Sequence, residues 1–196
     1  NQNGDFRLSY TGLDQTGIVP NTDLRRNTIS FGGGYNLTKK FTARAFVSYI
    51  KSESDNRPSI SYGTENIMYL FNCWLPRSVD VSDMQDYWMR GLEGRRQFGF
   101  NYNYHDNPWF TMYENTNGQY VDRIIGNIAL KYDFTPELSL MLRTATDFAN
   151  ERRQYRRAFS TQRFPFGQYR EAKVYSEEGN SDFLLTYNKE LAPSTW

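Results

Sequence analysis

The chain has 196 residues, 17% of them aromatic against 38% hydrophobic, with a mean hydropathy of −0.76, a polar and strand-favouring composition. Lys plus Arg (23) against Asp plus Glu (22) leaves a net charge of +1, which excludes a nucleic-acid binder that works by neutralising phosphates. The single cysteine, Cys73, excludes an internal disulfide, and the single histidine, His105, excludes a histidine-based zinc site or a second imidazole base.

Period-2 alternation opens the chain. Phe6, Leu8 and Tyr10 alternate with Arg7, Ser9 and Thr11, and Ile29, Phe31, Gly33, Tyr35 and Leu37 alternate with Ser30, Gly32, Gly34 and Asn36. Thr42 to Ser52 repeats the pattern through Ala43, Ala45, Val47 and Tyr49, blurred by Phe46 and Ile50 on the other parity. Three further strands are predicted around Ile128 to Phe134, Leu138 to Leu142 and Phe183 to Tyr187, which makes six.

Between the third and fourth strands, Glu53 to Arg123 is too long to be structureless. Thr64 as N-cap with Ile67, Leu70, Phe71 and Trp74 on one face before Pro76 predicts one short helix. Ser82 with Gln85, then Met84, Tyr87 and Trp88, with Gly91 as terminator, predicts a second. The longest apolar run, Ile67 to Phe71, falls far short of the roughly 20 residues of a membrane-spanning helix.

Connections alternate in length. Asn36 to Lys40 and Thr135 to Glu137 are tight, whereas Leu13 to Leu24, Glu53 to Arg123 and Gln154 to Asn180 are long. With antiparallel neighbours, the tight turns share one rim and the long loops the other, as in an outer-membrane barrel. Aromatics near strand ends (Tyr10, Tyr35, Phe41, Phe134 and Phe148) suit interfacial girdles. A soluble β-sandwich, as a carbohydrate-binding module, alternates in the same way, and the pattern alone does not separate the two.

Longer segments carry a resemblance. Leu13 to Asn21, Arg57-Pro58-Ser59 followed by Tyr62 to Asn66, Asp86-Tyr87-Trp88, Asn107 to Phe110 with Tyr113 to Gly118, and Asn180 to Asn188 resemble the SusC/RagA family of TonB-linked outer-membrane transporters. The likeness runs in order over nearly the whole chain. It implies an all-β, antiparallel transmembrane barrel, about 22-stranded in the whole protein, that imports glycans or peptides into Bacteroidota without being an enzyme and without a cofactor. This sequence matches a mid-barrel arc, with the plug domain and TonB box outside it. The absence of an initiator Met at Asn1 and the stop at Trp196 fit an excised piece. The partners implied are a SusD-like surface lipoprotein, TonB-ExbB-ExbD through the plug, outer-membrane lipid including lipopolysaccharide, and the cargo. On this register Arg7, Ser9, Thr28, Ser30, Lys131, Asp133, Arg143 and Asp147 face the lumen, and Leu8, Ile29, Phe31, Ile128, Leu130, Leu140 and Leu142 face lipid. Loops 53–123 and 154–180 are then extracellular.

The candidate substrate contacts are the aromatic and amide side chains of the long loop: Tyr62, Tyr69, Trp74, Tyr87, Trp88, Trp109, Tyr113 and Glu114 to Asn117, with Asn115 and Asn117 foremost among the amides. Sugar faces stack on such rings while amides satisfy hydroxyls. The same rings equally suit a private loop core or a seat for the cap, and Trp109 and Tyr113 are favoured for cargo because neither falls on a predicted helix face. Arg152, Arg153, Arg156, Arg157 and Arg163 form a basic cluster suited either to phosphates or acidic groups of the cap, or to plain solvation. No carboxylate spacing defines an acid/base cleft, and no 12-residue calcium loop is present. Cys73 is expected to be a small buried hydrophobe, and His105 a loop hydrogen-bonder.

Overall fold

A computed structural model describes residues 3–60 and 62–189. Six strands form one antiparallel sheet in sequence order: β1 (Gly4–Thr16), β2 (Asp23–Asn36), β3 (Phe41–Ser54), β4 (Asn117–Asp133), β5 (Leu138–Thr161) and β6 (Phe164–Tyr187). The sheet is open, with β1 and β6 at its edges, and is not closed into a barrel. All six expected strands are present, and they run further than their apolar alternation does.

That extension corrects two of the three long connections. Leu13 to Thr16 belongs to β1, leaving only residues 17–22 between β1 and β2. The segment Gln154 to Asn180 is not a loop: β5 and β6, 24 residues each, pair across it from Leu138↔Tyr187 to Thr161↔Phe164. The long loop itself shrinks to 55–116, since Glu53 and Ser54 finish β3 and Asn117 opens β4. Beyond Phe148 both faces of the β5–β6 hairpin carry charge, so no apolar alternation marks those residues as strand.

Opposed residues of an antiparallel ladder share a face. One face carries the row Tyr10, Ile29, Tyr49, Ile124 and Phe148, then Leu8, Phe31, Val47, Gly126 and Thr146, and nearer the short turns Tyr35, Ala43, Leu130, Leu142 and Phe183. The other carries Arg7, Ser9, Ser30, Ser48, Lys131, Asp133, Arg143, Asp147 and Asp182, with Phe46, Ile50, Ile125, Met141 and Leu184 among its apolar exceptions. Its charges pair locally: Arg123 Nε donates to Asp147 Oδ1 at 2.8 Å, Arg143 donates to Asp182 at 2.8 and 3.0 Å, and Lys131 lies 2.8 Å from Asp133.

The apolar face is uncovered. Phe6 is 80% exposed, Leu8 69%, Leu142 50% and Phe183 73%. The buried hydrophobic side chains among the described residues, Ile67, Leu70, Met84, Phe110 and Met112, all lie in the 55–116 loop. Two helices, α1 (Ile67–Cys73) and α2 (Pro108–Glu114), and a 3-10 turn (Val81–Met84) enclose that small core. Asn66, not Thr64, caps α1, its side chain accepting from the amides of Met68 and Tyr69 at 3.0 and 3.2 Å. Asp80, not Ser82, caps the 3-10 turn, and Tyr87 and Trp88 lie beyond its end. The sequence reading lacked α2; its signal was Asn107-Pro108, an N-cap followed by a proline at the first helical position. Cys73 is exposed, a correction to the buried hydrophobe expected: it is the last residue of α1, one turn past the buried Leu70.

Candidate functional site

The 55–116 loop is fastened to the part of β5 that extends past the end of β4. There β5 has lost its strand neighbour, and its exposed edge groups must find other partners. Asn115 Oδ1 accepts from the Ala158 amide and Thr161 Oγ1, both at 3.0 Å. Gln97 donates its backbone N–H to Ser160 Oγ at 3.1 Å and its side-chain amide to the Ser160 carbonyl at 2.6 Å, while the Gln162 amide donates to Asp106 Oδ1 at 2.7 Å. Arg157 reaches back from β5: Nε and Nη2 donate to Glu65 at 2.9 and 2.6 Å, and further bonds run to Thr116 O, Arg156 O and Asn117 Oδ1.

This sorts the candidate residues. Asn115 and Asn117 are fasteners: the Asn117 side-chain amide also donates to the Arg57 carbonyl at 3.1 Å, and its backbone N–H donates to Asn56 Oδ1 at 3.0 Å. Tyr87 and Trp88 pack on Phe110, Trp88 edge-on at 5.2 Å and 90°, and belong to the loop core. Tyr87 donates its hydroxyl to Glu114 at 2.9 Å; burial, then that bond, pushes its pKa up to about 12. Trp74 is 48% exposed and lies 5.3 Å from the His105 ring. Tyr62 stacks obliquely on Tyr69 at 4.8 Å.

Trp109 and Tyr113 do fall on a helix face, contrary to the sequence reading. One turn apart on α2, their rings stack at 6.1 Å and 12°. The indole N–H of Trp109 donates to the Val81 carbonyl at 2.7 Å, while Tyr113 is 44% exposed. The pair therefore presents a flat aromatic surface anchored at one end.

His105 is buried: its backbone N–H and carbonyl pair with Asn101 at 3.2 Å, its ring Nδ1 has no hydrogen-bond partner, and burial lowers its pKa. Its neighbour Asp106 has Oδ2 unpartnered, and burial raises its pKa against the bonds from Gln162 and Gln97. The five arginines also separate. Arg153 and Arg157 point to the polar face and hold Glu151 and Glu65, Arg163 sits over Phe164, and Arg152 and Arg156 stand exposed on the opposite face.

Where the polar face meets the loop, two adjoining hollows share Arg57, Pro58 and Gln119. One, about 420 Å³, is lined by Gln15, Leu24, Arg26 and Ser52; the other, about 240 Å³, by Ile60, Arg153 and Tyr155, with Asn117 its one contributor from the candidate set. Arg57 donates to Gln119, whose amide donates to Glu151, and Arg153 closes on Glu151 at 2.6 and 2.7 Å. Gln119, Glu151 and Tyr155 have no sequence signal because the alternation there is polar on polar, and Arg57 has none because it lies in the loop, where no period marks it. The arrangement offers guanidinium, amide and phenol groups to hydroxyls or carboxylates, and no nucleophile with a base. Among the described residues no cluster of His, Cys, Asp and Glu could hold a metal ion. No protein-family model matches the chain, and no curated protein matches it.

Proposed function

We propose that this chain is an arc of a transmembrane β-barrel, the barrel component of a TonB-dependent, SusC/SusD-like importer of oligosaccharides or peptides in a bacterial outer membrane. The observation that carries the reading is the two-faced sheet whose apolar face stands open among the described residues. From Phe148 to Leu138 the apolar rows of β5 run about 33 Å at ~3.3 Å per residue, or ~25 Å in height at a tilt near 40°, the height of a barrel's lipid-facing band. Tyr10, Tyr49 and Phe148 edge that band at one end, and Phe41, Tyr132 and Phe134 edge it at the other, as girdles do. A soluble sandwich would need a second sheet over these rows, and the described residues form one sheet.

In this reading the paired charges of Arg123, Asp147, Arg143 and Asp182 face the lumen, the 55–116 unit stands outside the cell, and the hollows around Arg57 and Gln119 open toward the passage. The half-buried Trp109 and the exposed Tyr113 stacked on it are the contact for cargo or for the SusD-like cap. Energy comes from TonB-ExbB-ExbD acting on a plug.

The test is uptake in cells carrying the full-length protein. Tyr113→Ala and Arg57→Ala are expected to reduce cargo uptake several-fold with unchanged barrel abundance. Trp109→Ala is expected in addition to loosen the 3-10 turn it anchors. Unchanged uptake in all three, with surface protease failing to cut the loop in cap-free cells, overturns both the placement and the role.

A further inference from the structure

Charge on the apolar side of the sheet is distributed unevenly beyond the Phe148 row. Over β1 to β4 acids exceed cations: Lys51 pairs with Glu53 at 2.9 Å and Arg25 lies 3.7 Å from Asp14, while Tyr49 bonds Asp122 and Tyr120 donates to Asp55 at 2.8 Å. Over β5 and β6 the excess is reversed. Arg152 stands directly opposite Lys173, and Arg156 opposite Tyr169, all on the face that carries Phe148. Arg152 is held flat over the Tyr120 ring at 4.6 Å, and no carboxylate bridges Arg152 or Arg156 among the described residues. The acids on these rows are Glu171, bonded by Tyr169 at 2.9 Å and 3.9 Å from Lys173, and Glu177 at the Phe148 row, bonded by Tyr175 at 2.9 Å. Over these two strands three exposed cations therefore face two carboxylates, an excess of one positive charge.

Below them, toward the middle of the apolar rows, lies a hollow of about 370 Å³ lined by Phe31, Val47, Ile124, Gly126, Ile128 and Thr146. Gly126 and Thr146 sit opposite each other in the ladder, so the wall dips between the larger side chains around them. A Cβ on Gly126 would stand 3.0 Å from the Phe46 carbonyl, so the dip cannot be filled there without moving backbone.

From these two features we infer that β4, β5 and β6 form a seat for one phosphate-bearing lipid of the outer leaflet, with Arg152, Lys173 and Arg156 on the phosphate and an acyl chain laid over Ile124 into the Gly126 hollow. The inference rests on the barrel reading and adds a specific lipid site to it. Arg152 stands roughly 13 Å of strand beyond Phe148, or ~10 Å in height at the same tilt, and its long side chain reaches back toward the headgroup layer. A guanidinium fixed by cation–π contact loses little freedom on meeting a phosphate and offers it two parallel donors. The excess of carboxylates over β1 to β4 repels a phosphate there.

The experiment uses the full-length protein in dodecyl maltoside micelles doped with phosphatidylglycerol, with phosphatidylcholine-doped micelles and dissolved inorganic phosphate as separate arms. Wild type is expected to bind phosphatidylglycerol saturably, to bind phosphatidylcholine far less, and to keep the lipid in millimolar phosphate. Arg152→Gln with Lys173→Gln is expected to weaken binding about thirtyfold, the conversion of about 1 kcal/mol per cation, and Arg152→Lys with Lys173→Arg to retain most of it. Should the double variant not assemble, Lys173→Gln and Arg156→Gln singly are expected to lose about fivefold each. Equal binding in the neutralised variants, or displacement by inorganic phosphate alone, overturns the lipid seat. Variants that keep heat-modifiable mobility in either case leave the barrel reading standing, whereas a full-length protein monodisperse without detergent removes the barrel reading itself.

Discussion

Every donor-bearing nitrogen of the Arg157 guanidinium meets an acceptor, and the side chain is 5% exposed while that of Glu65 is 23% exposed. Removing one member of a buried pair strands the other's charge, which costs about 3–5 kcal/mol. Arg157→Met is therefore expected to release the 55–116 unit, read as much faster protease cleavage within the loop at unchanged heat-modifiable mobility of the barrel. Arg157→Lys is not expected to rescue it, because an ammonium cannot span Glu65, Thr116 and Asn117 at once. A contrast at two adjacent positions reads the sheet's facing. Leu142→Arg places charge in the proposed lipid band at a cost of roughly 2–4 kcal/mol. Arg143→Leu removes only an exposed pair to Asp182, worth under about 1 kcal/mol. Leu142→Arg is expected to impair membrane assembly and Arg143→Leu to leave it nearly intact; equal effects on heat-modifiable mobility would mean that the register is wrong.

The strands were legible wherever one face is apolar and the other polar, as from Leu138 to Leu142, and illegible where both faces are polar, as from Asn150 to Thr161. The helices were legible by their faces and misread at their caps: Asn66 outcompeted Thr64 because its side chain reaches two amides at once. The loop's fastening to β5 was out of reach, since Gln97, Asp106 and Asn115 carry no period and gain meaning only against the freed edge of β5. Within that unit, His105 and Asp106 impose opposite pH dependences. Burial raises the pKa of Asp106, so its contribution is present below about pH 4 and is lost as pH rises through the raised value. Burial lowers that of His105, so its contribution is present above about pH 6.5 and is lost as pH falls. Asp106→Asn keeps the acceptor for Gln97 and Gln162 and abolishes the alkaline loss. Its ratio of loop cleavage at pH 8 to that at about pH 4 is expected to fall below the wild-type ratio, and an unchanged ratio would show that the Asp106 carboxyl does not carry the alkaline loss.

At the scale of the whole chain the decisive fact is where the core is. A soluble domain of this length buries an apolar face under its sheet, yet the buried hydrophobic side chains among the described residues all lie in the loop unit, and the sheet's apolar rows stand open. Two of the six strands, β1 and β6, also leave one edge each without a strand neighbour. In water such a sheet offers apolar surface and unpaired ladder groups to other copies of itself. In lipid the apolar rows are satisfied, but the edge groups remain costly until further strands close the ring. Residues 1–196 expressed alone are therefore expected to aggregate in detergent-free buffer and to gain stable strand content only in detergent or lipid. Sedimentation and circular dichroism of the purified segment check this directly. A monomer with a cooperative melt in plain buffer would show that the apolar rows are covered after all, and would move the protein to the soluble carbohydrate-binding sandwich that its alternation alone also permits.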